Sequence, residues 1–211
     1  MHTPPPSFAL LLAAADCADG YQATLLDEAD RARLARSPAL AQRSDWQVSR
    51  FLKQQTALPA LSLSHSRGTA LLAVSDLPLT AGVDIEALKN RDFKQLSEYS
   101  CSQEERNWLA MRGWQTTDFY RLWTLKEALI KAAALDFPAD LPQTGVRIDK
   151  GRLKIKNSAG RAWQGLSALT DKHAIACVWD TKVDARAEWR FFGQLAEREN
   201  VVRAVWRLDA V

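Results

Sequence analysis

Asp84 and Glu86 alternate with apolar residues in Gly82-Val83-Asp84-Ile85-Glu86, and Glu127 lies between two lysines in Trp123-Thr124-Leu125-Lys126-Glu127-Ala128-Leu129-Ile130-Lys131. Together the two segments supply three carboxylates, Asp84, Glu86 and Glu127, and two ammonium groups, Lys126 and Lys131. Hard oxygen ligands in that number suit Mg²⁺, which keeps waters and substrate phosphates in its remaining positions. Lysines beside them would offset phosphate charge. A plainer reading stays open for one pair, because Glu127 and Lys131 stand at i and i+4, a spacing that stabilises any helix by ~0.2–0.5 kcal/mol.

The elements that must hold these groups can be read from the local pattern. Ala81 to Ile85 predicts a short strand, which puts Asp84 and Glu86 on one face because side-chain direction repeats every two residues. Like charges side by side on a strand repel, so the pair implies a cation or a strongly solvated site. Asp118 is expected to cap a helix from about Phe119 to Ala134, with Phe119, Leu122, Leu129, Ile130 and Ala133 on its buried side. Upstream, Ser102-Gln103-Glu104-Glu105 is a capping-box start within a broken helical stretch from Arg91 to Gly113.

The first part of the chain reads as a buried strand over Phe8 to Ala15, a helix over Leu25 to Leu34, and a second helix from Ala39 or Ser44 to Gln54. These helices carry Arg31, Arg33, Arg36, Arg43, Arg50 and Lys53, a basic set that reads mostly as a solvated face. Leu61 and Leu63 alternate as in a strand, Ser64-His65-Ser66-Arg67-Gly68 forms a turn, and Thr69 to Val74 is the next strand. His65 is then either a hydrogen-bonded turn residue or an anion contact at a strand end. Farther on, Val146 to Ile148, Arg152 to Lys156 and Ala174 to Trp179 read as antiparallel strands. Ala70 to Val74 and Ala174 to Val178 look faintly alike, a hint of internal repetition.

At 211 residues the chain fits one large domain or two small ones. Its 47% hydrophobic and 25% charged residues are those of a globular protein, and disorder is excluded by the lack of low-complexity or single-sign runs. The net charge of +3 suits an anionic ligand without demanding nucleic acid. Cys17, Cys101 and Cys177 are odd in number and form no CxxC motif, so a disulfide framework and a zinc knuckle are not expected, and a reducing cytoplasm is. The apolar run from Phe8 resembles a signal core, but no Lys or Arg precedes it and Pro4-Pro5-Pro6 interrupts the approach, so a first strand is the expectation. No apolar run reaches the ~20 residues that span a bilayer. A Ser-His-Asp hydrolase is disfavoured by the lack of a Gly-x-Ser-x-Gly elbow.

Ser64-His65-Ser66, then Gly82-Val83-Asp84-Ile85-Glu86, then Trp123 to Lys131, in this order, resemble the motif set of the 4′-phosphopantetheinyl transferases of the longer, two-lobed type typified by the surfactin and enterobactin pathway enzymes. The resemblance implies an α+β fold of two pseudo-symmetric α/β lobes, antiparallel sheets with packed helices, and an active site between the lobes. Residues 1–80 would form the N-terminal lobe, 81–184 the C-terminal lobe with the metal site, and 185–211 a tail packed on the second lobe. It implies transfer of the phosphopantetheine arm of coenzyme A to a serine of an acyl or peptidyl carrier protein, with Mg²⁺ and release of 3′,5′-ADP, by a cytoplasmic monomer that binds neither nucleic acid nor membrane.

On that resemblance Asp84, Glu86 and Glu127 hold Mg²⁺, and Glu127, or Asp84 through a water, takes the serine proton. Lys131, with Lys126 nearby, offsets pyrophosphate charge, while Ser64 and His65 bind the 3′-phosphate of coenzyme A. Arg43, Arg50 and Lys53 are looser phosphate candidates. The chain departs from the family pattern where a Gly-Lys-Pro lysine is usual, reading Gln55-Thr56-Ala57-Leu58-Pro59-Ala60 instead. Lys53 or Arg67 is a possible substitute. Two other classes use similar residues: a Mg²⁺-dependent nuclease or phosphodiesterase, which would ignore coenzyme A, and a non-catalytic binding module for a carrier protein or nucleic acid, which would be indifferent to Glu127→Gln.

Overall fold

The computed structural model describes residues 7–149, 152–156 and 158–210. Pro4 to Pro6 lie outside the described residues. The chain divides into two compact units, residues 1–76 with 185–199 and residues 77–184 with 200–211. The α+β class expected from the sequence is the class observed, since each unit is a sheet with helices packed on it.

The first unit is built on a sheet ordered β2-β3-β1-β9. β1 (Ser7–Ala13) lies at its centre, antiparallel to β3 (Thr69–Val74), with Leu11 opposite Leu72. On its other side it runs parallel to β9 (Arg186–Phe192). Both faces of β1 and β3 are buried, which is why these strands read as unbroken apolar runs rather than alternating ones. Ala9, Leu11, Ala13, Ala70, Leu72 and Val74 share a core with Val48 and Leu52 of α2 (Ser44–Gln54). The preceding helix α1 (Glu28–Arg36) is capped by Asp27, whose side chain accepts from the Asp30 backbone N–H. β2 (Ala60–Ser66) joins β3 through the two-residue turn Arg67-Gly68. Both turn residues have positive φ, 47° and 75°, the geometry that matches hairpin twist. The turn is thus shorter than expected, and Ser64, His65 and Ser66 belong to the strand.

The second unit is built on a sheet ordered β4-β8-β7-β10-β6-β5. β4 (Ala81–Ala87) pairs antiparallel with β8 (His173–Asp180), which continues to β7 (Trp163–Leu169). β5 (Val146–Asp149) and β6 (Arg152–Ile155) form a hairpin, joined to β7 through β10 (Arg203–Ala210). Helices α3 (Phe93–Ser100) and α4 (Gln103–Met111) lead to α5 (Thr116–Ala133), which packs across β4 and β8. Both halves of the Ser102–Glu105 capping box form at the start of α4. Asp118 does not cap α5. The helix begins earlier, after Gln115, and the buried Asp118 side chain pairs instead with Arg112 at 2.7 Å.

The tail also differs from expectation. Residues 185–199 complete the first unit's sheet through β9, and only the segment from residue 200 joins the second. β10 is tied to α5 by Arg121, whose guanidinium donates to Ser167 O and Oγ at 3.0 Å and to Ala204 O, and lies 3.9 Å from the Trp206 ring. Burial lowers the Arg121 pKa to about 10. Among the described residues, no helix is long and apolar enough to cross a membrane.

Candidate active site

The site in the second unit begins with a glycine. Gly82, Asp84 and Glu86 share one face of β4, opposite Val178, Ala176 and Ala174 of β8. That face lies under α5, where Ala128 and Ala132 join the same core as these β8 residues. A Cβ at position 82 would stand 2.0 Å from the Ala128 carbonyl oxygen and 2.7 Å from the Ala132 nitrogen. Only glycine lets the helix backbone come this close to the strand. The alanines and the glycine together bring the acidic residues of β4 under the charged side of α5.

Asp84 is buried, at 3% exposure, and its Oδ1 accepts from Lys131 Nζ at 2.7 Å. The same ammonium donates to the Val83 carbonyl at 3.2 Å. Glu127 and Glu86 are half-buried. The Glu127 pKa is raised from its ordinary 4.5 to about 6, first by burial, then by the Asp84 charge; Lys131 opposes the shift and Glu86 adds to it. The three predicted carboxylates and Lys131 therefore share one electrostatic neighbourhood, in which negative charge exceeds positive.

These acids fit a divalent cation chemically, being hard oxygen donors whose mutual repulsion a cation would relieve. Among the described residues no three His, Cys, Asp or Glu side chains are already grouped to hold one ion. A cation would have to draw Asp84, Glu86 and Glu127 closer together. Beside the acids, Glu86, Arg91, Leu96, Phe119, Tyr120 and Trp123 line a cavity of about 170 Å³. Trp123 stacks on Phe119 with centroids 6.2 Å apart, and Phe119 in turn on Phe93 at 4.8 Å. Arg91 and Tyr120 were not anticipated here. The signal available in the sequence is the i, i+4 aromatic spacing of Phe119 and Trp123 with Tyr120 beside them, which reads equally well as core.

Lys126 is placed otherwise than expected. It is 1% exposed and its Nζ pairs at 2.6 Å with Glu105, which is wholly buried. An amine held there does not face a phosphate.

In the first unit, Ser64 is buried and His65 is exposed near the hairpin end of β2. Although the His65 residue is exposed, partial desolvation of its ring lowers its pKa; Arg43 and Arg50 add to this, while Asp45 opposes it. Arg43 is a solvated neighbour, 3.9 Å from Asp45, whose other oxygen accepts from the Gly68 N–H at 2.5 Å. Arg50 is no loose phosphate contact. It is 5% exposed, paired with Asp30 at 2.7 Å, and stacked 3.8 Å from the Trp46 ring. Lys53 bonds both Asp27 and Asp30. Burial works against its charge, but those two bonds win and raise its pKa, and the bond from Lys53 is the main cause of the lowered Asp27 pKa. Both cations are thus engaged by acids of α1 and its cap.

Lys131 is bonded to Asp84, and Glu127 feels the charges of Asp84, Glu86 and Lys131. Residues 80–178 match the model of the 4′-phosphopantetheinyl transferase superfamily. Asp84, Glu86, Glu127 and Lys131 all lie within the matched segment. It is 36% identical over 73 residues to the 4′-phosphopantetheinyl transferase gsp of Aneurinibacillus migulanus, across 34% of this chain and 30% of that protein. It is 33% identical over 104 residues to a 4′-phosphopantetheinyl transferase of Bacillus subtilis, across 47% of this chain and 46% of that protein. The match thus spans about a third to a half of the length of these curated relatives. A crystal structure of a holo-(acyl-carrier-protein) synthase from Bacillus anthracis in complex with CoA (3′,5′-ADP) is 26% identical, with a TM-score of 0.38, over 47% of this chain and 93% of that one.

Proposed function

We propose that this protein is a 4′-phosphopantetheinyl transferase that moves the phosphopantetheine arm of coenzyme A to a serine of an acyl or peptidyl carrier protein. The observation that supports it most is the placement of Glu127 beside Asp84 and Glu86, inside the segment that matches the family. In the reaction the serine oxygen forms a bond to the pyrophosphate phosphorus that bears the pantetheine arm. The bond from that phosphorus to the bridging oxygen breaks, and 3′,5′-ADP leaves. The serine proton goes to a carboxylate.

Glu127 suits that last role. It stands beside Asp84 and Glu86, and Asp84 acting through a water is the alternative base. Lys131 orients Asp84 through its 2.7 Å bond, and its ammonium adds positive charge where the leaving group develops negative charge. Asp84, Glu86 and Glu127 would hold Mg²⁺, which when bound supplies charge neutralisation for the pyrophosphate. Ser64 and His65 of the first unit are assigned to the 3′-phosphate of coenzyme A, with Arg43 and Arg67 as the cations left for the role usually filled by the missing lysine.

Incubation with an apo carrier protein, coenzyme A and Mg²⁺ should add one phosphopantetheine to the carrier, read by intact-mass spectrometry. Asp84→Ala and Glu127→Ala should abolish the increment. No increment on carriers from fatty acid, polyketide and peptide synthesis would refute the proposal, and full activity in either variant would refute the residue assignment. A hydrolase acting on nucleic acid would instead cleave DNA or RNA in the same buffer and leave the carrier mass unchanged.

A further inference from the structure

Lys126 and Glu127 are neighbours in the chain but point into different surroundings, because successive residues of a helix are turned by about 100°. The Lys126 ammonium donates to Glu105 Oε2 at 2.6 Å and to the Thr144 carbonyl. Glu105 is engaged on every side. Its Oε2 also accepts from the Ser102 backbone N–H at 2.8 Å, and its Oε1 accepts from the Val146 N–H at 3.2 Å. One carboxylate therefore ties together the first turn of α4, the middle of α5 and the entry to β5. Gly145 closes the arrangement with φ +139°, and a Cβ on it would meet Glu105 Oε1 at 2.4 Å and Lys126 Nζ at 2.9 Å.

Such a pair is a poor device for stability alone, since well-packed apolar residues of the same volume serve as well or better. What it provides is direction. Apolar contacts let a helix turn or slide by a fraction of a residue at little cost, whereas an ammonium held by a carboxylate and a carbonyl has one favourable position. The neighbouring Glu127 needs that constraint, because its setting beside Asp84 and Glu86 opposes its charge and would turn it away. We propose that Lys126 is a positioning residue, whose buried bond to Glu105 fixes the rotation and register of α5 and so holds Glu127 toward the β4 carboxylates. This rests on the assignment of Glu127 to the transfer reaction.

The test compares wild type, Glu105→Gln and the double variant Lys126→Met/Glu105→Leu in the full chain, with thermal melts and steady-state transfer at varied coenzyme A. The double variant should fold and melt near wild type, yet lose at least tenfold in kcat while its KM for coenzyme A stays within twofold. Glu105→Gln keeps the shape and one acceptor, and its kcat should fall between the two. A folded double variant with wild-type kcat would show the pair to be structural only. A raised KM with unchanged kcat would make Lys126 a phosphate contact and overturn the inference. Should the double variant not fold, Glu105→Gln decides alone, wild-type kcat in it being the refuting result. A wild-type protein that transfers no arm would overturn the functional assignment, and this inference with it.

Discussion

Replacing Glu127 by Gln should make the protein more stable while removing its activity. The Glu127 pKa is raised from 4.5 to about 6 by burial and by the Asp84 and Glu86 charges, against the pull of Lys131. A carboxyl with a raised folded pKa binds its proton more tightly in the folded chain than in the unfolded one. Between pH 4.5 and 6 the folded state thus holds more protons, and stability falls as pH rises through that window. Above pH 6 the penalty is complete and constant. About 1.5 units at 1.36 kcal/mol each gives ~2 kcal/mol. Because Glu127 is only half-buried, solvent screening reduces this to about 1 kcal/mol.

Gln keeps the shape and removes the charge. The variant forfeits the helical pair with Lys131, worth ~0.2–0.5 kcal/mol, so the relief of repulsion wins. For a chain of this size a gain of about 1 kcal/mol raises Tm by roughly 2–4 °C. The assay is a pair of thermal melts with chelator present, one at pH 7.5 and one at pH 4.5. The gap should be present at the higher pH and close at the lower, where the wild-type carboxyl is itself protonated. A Gln variant that melts below wild type at pH 7.5, or a gap of equal size at both pH values, would show that Glu127 is not held against like charge.

Gly82→Ala should cost about 1–3 kcal/mol in chemical denaturation, because a Cβ 2.0 Å from the Ala128 oxygen forces α5 off β4; a variant as stable as wild type would contradict the close approach. Asp30→Ala leaves the Arg50 guanidinium buried without its 2.7 Å partner and should destabilise by ~3–5 kcal/mol. If it instead weakened coenzyme A binding with no change in stability, Arg50 would return as a phosphate contact. Cys17, Cys101 and Cys177 are buried, and burial raises all three thiol pKa values, Cys177 the most. The native protein should therefore resist alkylation at pH 7.5 until denaturant is added, and rapid modification of any of the three would refute their placement.

Where the sequence was legible, the cause was local. The period of two in β4 and the Ser102 to Glu105 cap both act over four residues or fewer, and each has its expected consequence in the structure. The failures share the opposite cause. In sequence Arg50 looks like a surface cation because its partner Asp30 is 20 residues away on another helix. Lys126 looks like a phosphate contact because its partner Glu105 is 21 residues away and carries in sequence only the signature of a capping residue. β9 alternates half-buried with exposed residues and pairs with the first strand of the chain, so no pattern near it reports its neighbour. β7 and β10 escaped notice for the same reason, their partners being set by the sheet rather than by their own composition.

The two adjacent charges of α5 divide the requirements of such a site between them. Lys126 donates to a buried carboxylate and a backbone carbonyl, so its charge is compensated and its position fixed. Glu127 is left among like charges with one lysine to moderate them, so its ionisation is kept unfavourable and its pKa near neutrality. Repulsion alone would swing a side chain or rotate a helix until the charges part, and two features prevent this. Gly82 lets α5 lie too close to β4 to roll freely, and the Glu105 bond pins its far side. The unfavourable charge arrangement persists because rigid contacts on two sides of the same helix over-determine its position. Loosening either contact should therefore reduce catalysis before it unfolds the chain.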